Sequence, residues 1–196
     1  MSHDSKQFDL QSATYNDGAD LAIFADMATR RLASFLWGQL ATSGQSALEF
    51  GRNAICNNET HYTHFTNWRV VKIRGEMVGA INCYLLPTST AAPSGHEVAQ
   101  PLNELKAVAA GSWYIAHAAI YPKFQGSGAG RLLLCEAEKL ANAAGNGCLT
   151  LMVGSFNKRA YTVYQKFGFQ EWERRPFVPF TGADERGDWI LMRKSL

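Results

Sequence analysis

The four cysteines, Cys56, Cys83, Cys135 and Cys148, include no C-x-x-C pair, so neither a zinc ribbon nor a dithiol redox centre is encoded locally. His61 and His64, the histidines nearest to a cysteine, have no second cysteine close in sequence; no metal site is expected. The thiols read as free, and as buried where they lie in apolar strand or helix contexts. No apolar run approaches the roughly 20 residues of a membrane helix, and the start, Met1–Lys6, carries no signal-peptide core. A cytoplasmic protein, away from membranes, is the expectation. Neither sign of charge dominates either: 19 basic against 17 acidic residues leave a formal charge of +2 with no long like-charged run. A broad nucleic-acid surface is therefore not expected. Internal repeats are absent, and the most loop-like stretch is Pro87–Gly95, rich in Pro, Thr, Ser and Ala.

What is present is apolar and aromatic. With 46% hydrophobic and 12% aromatic residues in 196, the chain can bury a sizeable core as one domain, with residues 1–7 as a flexible start. Its organising stretch runs from Tyr114 to Phe169. Trp113–Ile120 is a β-branched and aromatic run that reads as a buried strand, and Pro122 removes a ladder donor and ends it. Gly130, Leu133, Leu134, Ala137, Leu140, Ala141 and Ala144 then recur at helical spacing, with Gly145-Asn146-Gly147 as the stop. Between strand and helix lies Gln125-Gly126-Ser127-Gly128-Ala129-Gly130-Arg131. A glycine-rich turn opening a helix offers unpaired N–H groups and the positive end of the macrodipole, which suits phosphate.

Spacing narrows the choice of phosphate ligand. No Gly-Lys-Ser/Thr follows the turn, which disfavours a metal-bound triphosphate. A dinucleotide fingerprint beginning at Gly126 and Gly128 would need glycine where Arg131 stands, and Cys148–Val153 ends without an acidic residue for a ribose. A different pattern fits: Ile120-x-Pro122-x-x-Gln125-Gly126-x-Gly128-x-Gly130, followed by Asn157-x-x-Ala160-x-x-x-Tyr164-x-x-x-Gly168-Phe169. This pair of motifs, one strand apart, resembles the GNAT superfamily of acyl-CoA-dependent N-acetyltransferases. The resemblance runs from about Leu10 to the C-terminus and is specific over residues 114–169, which would form the acyl-CoA-binding core.

The resemblance implies a mixed α/β fold. A mostly antiparallel central sheet of about six to seven strands would be flanked by helices and splayed between two central parallel strands. It implies that the backbone of Ala118, Ala119 and Ile120 pairs with the pantetheine arm of acetyl-CoA. Gln125, Gly126, Ser127, Gly128, Ala129, Gly130 and Arg131 would take the pyrophosphate. Asn157, Ala160, Tyr161 and Tyr164 fall at i, i+3, i+4 and i+7 of a second helix. Asn157 would serve the cofactor and Tyr164, at a place where the family often has a general acid, would protonate the departing thiolate. Tyr161 is assigned to the core, and both phenols on an amphipathic helix have a packing reading as well. Some family members carry a glutamate base where Met152 stands here, and a methionine cannot accept a proton. His117 is the candidate base instead, directly or through water; a satisfied core histidine is the other reading.

The expected function is transfer of an acetyl group from acetyl-CoA to a primary amine, on a small molecule or a protein, without a covalent enzyme intermediate. A non-catalytic acyl-CoA-binding regulatory module is the alternative. Modification of charged tRNA would ask for a basic excess that the chain lacks. The family leaves room for a homodimer.

The rest of the chain supplies the scaffold. Phe8–Ala13 reads as a strand, Asn16 or Asp17 as a cap, and Leu21, Phe24, Ala28, Leu32, Phe35 and Leu36 as one side of a helix running to about Leu40. Ser46 caps a second helix. Trp68–Ile73 and Met77–Tyr84 form a hairpin around Arg74-Gly75-Glu76. Glu59–Trp68, dense in aromatics and imidazoles, shapes an acceptor pocket or merely leads into the hairpin with Trp68 as an anchor. Pro101 starts a short helix, beside which Glu97 and Glu104 lie either near the acceptor or in solvent. Gly168–Glu173 and Asp188–Met192 read as the last strands; Phe177, Phe180 and Trp189 either close the acceptor side or pack.

Overall fold

The computed structural model describes residues 8–88 and 95–196. The expected flexible start at 1–7, and most of the loop expected at Pro87–Gly95, lie outside the described residues. Seven strands form one sheet: β1 (Asp9–Ser12), β2 (Trp68–Ile73), β3 (Glu76–Leu85), β4 (Trp113–Ile120), β5 (Cys148–Gly154), β6 (Gln170–Pro176) and β7 (Asp188–Ser195). Their order across the sheet is β1-β2-β3-β4-β5-β7-β6. The helices are α1 (Gly18–Ala28), α2 (Leu32–Leu40), α3 (Ala47–Asn57), α4 (Gln100–Val108), α5 (Ala129–Ala143) and α6 (Lys158–Lys166). The sheet is mostly antiparallel, with β4 and β5 as the parallel pair. That parallel ladder joins Trp113–Ile115 to Leu149–Leu151, although β4 runs on to Ile120 and β5 to Gly154.

The chain divides into two compact units. The first comprises the residues up to Asn82 together with His117–Glu136. Its core gathers Leu21, Phe24 and Ala25 of α1, Ile55 of α3, and Trp68, Val70 and Ala80 of the hairpin, all buried. The hairpin turns on Arg74 and Gly75, at φ of 51° and 79°, the left-handed pair that a two-residue turn between twisted strands requires. Ser46 caps α3 through a reciprocal box with Glu49.

The helix expected to run to Leu40 is two helices. Thr29 hydroxyl donates to Ala25 O at 2.8 Å, and Arg30 and Arg31 turn left-handed at φ of 52° and 71°. The first amides of α2 are then capped from behind: Ala33 N–H donates to Thr29 Oγ1 at 3.0 Å and Ser34 N–H to Asp26 Oδ1 at 2.8 Å. At the other end of α1, Asp17 does not cap with its side chain. Its carboxylate accepts from the Thr14 amide and hydroxyl and from Lys72 Nζ at 2.9 Å. Burial opposes ionisation of Asp17, but the Lys72 and Thr14 hydrogen bonds outweigh it and hold the carboxyl below its usual range.

The second unit comprises Cys83–Ala116 and Ala137–Leu196. Its core gathers Leu105 and Ala109, Tyr114 of β4, Phe177, and Trp189 and Leu191 of β7. Phe177, Phe180 and Trp189 pack as one aromatic group of tilted rings, with centroids 5.6 to 5.9 Å apart along Phe180–Phe177–Trp189. Glu104 pairs with Arg175 at 2.8 Å. The cysteines are all free; Cys56 and Cys83 are buried, but Cys135 is exposed on α5, contrary to its expected burial, because it lies off the Leu133–Leu134–Ala137 face. No helix among the described residues is long and apolar enough to cross a membrane, and no group of potential metal ligands is found among them.

Candidate active site

The phosphate-binding candidate is built by the end of β4, all of it within the first unit. The Tyr121 amide donates to Val78 O at 2.9 Å, completing the antiparallel contact with β3, and Pro122–Phe124 then makes one 3-10 turn. Inside the turn the amide of Gln125 donates to Pro122 O and that of Ser127 to Phe124 O. The amides of Gly126, Gly128 and Gly130 donate to no protein acceptor among the described residues. Gly126 and Gly128 hold φ of 83° and 96°, and a Cβ built on either would meet nothing within 4 Å. The two glycines are thus required by backbone conformation and face open space. Helix α5 begins at once, with Leu132 N–H donating to Gly128 O at 3.1 Å, and Arg131 is exposed on its first turn. Free amides, a helix start and a guanidinium together suit a diphosphate.

Ala118, Ala119 and Ile120 lead into this turn as partly buried residues of β4. Gly79 of β3 lets them approach: a Cβ there would lie 2.6 Å from Ala119 O and 2.3 Å from Ile120 Cδ1. Nothing in the sequence pattern marked this glycine, since strand periodicity does not distinguish a close backbone approach from a small residue.

His117, also on β4, stacks on Trp68 with centroids 5.3 Å apart and planes at 12°, and its Nδ1 lies 3.2 Å from Asn82 Oδ1. Asn82 is fully buried, a functional candidate that sequence reading missed because a lone Asn in a strand carries no motif. Its amide donates to Tyr62 O and Asn67 O, which ties down the segment Glu59–Trp68. Trp68 is completely buried and its Nε1 donates to Thr63 O at 2.9 Å, as the anchor reading expected; His64 is buried beside Phe65.

Tyr164 and Asn157 belong to the second unit. Asn157 is the cap of α6, its side-chain oxygen accepting from Ala160 N at 3.3 Å. Tyr164 presents its ring edge-on to Phe169 at 6.0 Å, and burial around the hydroxyl pushes the phenol up to about 12, although part of the residue is exposed. Burial also raises Tyr114, and the phenols of Tyr84 and Tyr164 add to it. Tyr161 is not in the core: its hydroxyl donates to Glu171 at the surface, and that carboxylate raises its pKa. Three positions, less than one helical turn, separate a phenol bonded at the surface from an enclosed one. Met152 is partly buried among apolar neighbours and offers no base.

A family model described as the acetyltransferase (GNAT) family matches residues 29–169. The chain belongs to the GNAT acetyltransferase family. No curated protein sequence matches this GNAT chain. Among solved structures, an N-acetyltransferase from Staphylococcus aureus Mu50 is similar to it with a TM-score of 0.65 at 16% identity, over 94% of this chain and 99% of that one. PaiA N-acetyltransferase from Thermoplasma acidophilum, solved in complex with coenzyme A, gives 0.59 at 14% identity over 97% and 99%. The ribosomal-protein-S18-alanine N-acetyltransferase from Escherichia coli gives 0.58 at 19% over 96% and 94%. At such identities the likeness establishes the GNAT fold, and family membership supports acetyl transfer.

Proposed function

We propose that residues 1–196 act as one acetyl-CoA-dependent N-acetyltransferase domain that moves the acetyl group directly to a primary amine of a small molecule or a protein. The observation that carries this reading is the turn at Gly126–Arg131, with positive-φ glycines facing open space and glycine amides that donate to no acceptor among the described residues. Diphosphate held there, with the pantetheine arm along Ala118–Ile120, is the assignment the family resemblance makes. The comparison with a coenzyme A complex is consistent with it.

In this proposal the amine reaches the thioester neutral, its proton passing to His117 or to water. Attack on the acetyl carbon places negative charge on the carbonyl oxygen, for which backbone N–H near Ile120 is the donor. Collapse breaks the C–S bond, and Tyr164 donates to the leaving sulfur. No covalent enzyme intermediate is needed, because the thioester is already activated. Asn157 shapes the start of α6 for the cofactor through its cap. The aromatics around His117, together with Tyr62 and Phe65, favour a partly apolar amine.

Calorimetric titration with acetyl-CoA tests the reading, with NADH and ATP as controls. Micromolar affinity for acetyl-CoA alone, about −8 kcal/mol, is expected. It would be followed by amine-dependent thiol release across a panel of amines and N-terminal peptides. Binding without any amine-dependent release would favour an acyl-CoA-binding module. Preference for a control nucleotide would reject the assignment of the turn.

A further inference from the structure

Asn82 presents a buried amide with both ends committed. Its Nδ2 donates to Tyr62 O at 3.1 Å and to Asn67 O at 3.0 Å, which uses both hydrogens. Turning the amide over would set Oδ1 against two carbonyl oxygens, so the orientation is decided by its partners. Oδ1 then faces Nδ1 of His117 at 3.2 Å. An amide oxygen only accepts, so Nδ1 must carry the proton, and in the neutral imidazole the basic lone pair lies on Nε2. The ring plane is fixed as well. Trp68, buried and held by its own bond to Thr63 O, stacks nearly parallel to it.

We infer that Asn82 is a positioning residue that sets the tautomer and plane of His117, so that Nε2 is the atom that takes the proton from the acceptor ammonium. The inference rests on the acetyl-transfer reading and deepens it. In the step, an N–H bond of the ammonium breaks as Nε2–H forms. The freed lone pair attacks the acetyl carbon; collapse of the tetrahedral intermediate sends the C–S pair to sulfur, which takes a proton from Tyr164, and the nitrogen gives its second proton to water to leave the neutral amide. Because the same amide holds Tyr62 and Asn67, the segment Glu59–Trp68 and the base are set by one side chain. A change at Asn82 therefore reaches both.

The first test needs no substitution. In protein labelled with 15N-histidine, two-bond proton–nitrogen correlations identify the tautomer of His117 above its titration. The Nδ1–H form is expected, and the Nε2–H form overturns the inference. Asn82→Ala is expected to give mixed tautomers and a kcat lower by about 10²-fold, with the KM for acetyl-CoA unchanged. Asn82→Asp keeps an acceptor opposite Nδ1 but loses the donors to Tyr62 and Asn67. It should retain the Nδ1–H tautomer and more activity than the alanine variant. Equal loss in the two variants, or a pure Nδ1–H ring in Asn82→Ala, would reduce Asn82 to a loop anchor and overturn the inference. If Asn82→Ala fails to fold, the wild-type tautomer and the aspartate variant decide. The two readings fail separately: Nε2–H in a protein that acetylates amines removes only this inference. Absent acetyl-CoA binding in a protein with Nδ1–H removes the reaction and its proton step, and leaves Asn82 as the residue that sets the tautomer.

Discussion

Tyr164 shows how one side chain's surroundings set what it can do. With its phenol pushed up to about 12 by burial, Tyr164 stays protonated throughout the range in which an alkyl amine gains its lone pair. Complete transfer to a thiolate near the ordinary thiol value of about 8.5 is uphill by about 5 kcal/mol, so the hydrogen bond to the developing sulfur charge carries most of the benefit. The sign follows: a group with a raised pKa is lost only on the alkaline side. The kcat profile should therefore show no falling limb from Tyr164 below about pH 11. Tyr164→Phe should lower kcat roughly 10²-fold at every pH while leaving acetyl-CoA affinity intact, as single-turnover and titration measurements would show. An alkaline limb near pH 9 that disappears in the phenylalanine variant would mean that the phenol is not enclosed as described. Spacing alone placed Tyr161 and Tyr164 on one side of a helix, and only tertiary contacts separated them, through Glu171 at the surface and Phe169 inside.

The elements were legible wherever local signals agreed. Ser46 announced α3, and Arg74-Gly75-Glu76 between alternating apolar strands announced the hairpin, of which the structure keeps Arg74-Gly75 as the turn and gives Glu76 to β3. The break between α1 and α2 was not legible, because neither glycine nor proline marks it and the apolar period continues from Leu21 to Leu36. Two polar side chains make the break by supplying acceptors to Ala33 and Ser34. Asp26→Ala should consequently cost about 1 kcal/mol, the ordinary value of a lost cap. In a chain of this size that lowers Tm by about 2–4 °C in a thermal melt, whereas Asp26→Asn, which keeps an acceptor, should melt close to wild type. Equal melting of the alanine variant and wild type would show that the left-handed turn at Arg30-Arg31 holds without that bond.

At the scale of the molecule, sequence reading recovered a mixed sheet of about six to seven strands, seven in the structure, because a strand, a glycine turn and a helix came in an order that a known family shares. What it could not supply were Gly79 and Asn82, whose roles exist only once β3 lies against β4 and the Tyr62–Asn67 segment. The turn also gives a prediction for the whole chain. A ligand that binds only the folded protein stabilises it by about 2.7 kcal/mol at 100 times its Kd, or about 5–11 °C in Tm for a chain of this length. Acetyl-CoA should produce that shift, and NADH and ATP at equal concentration should not. Gly128→Val should abolish it, because a β-branched residue is strained at φ of 96° and its side chain would fill the space the diphosphate needs. The strain falls on an exposed residue whose added Cβ meets nothing within 4 Å, so the ligand-free Tm of the variant should drop by less than the shift it forfeits. A full acetyl-CoA shift retained in Gly128→Val would place the binding energy elsewhere in the chain and leave the turn as scaffold.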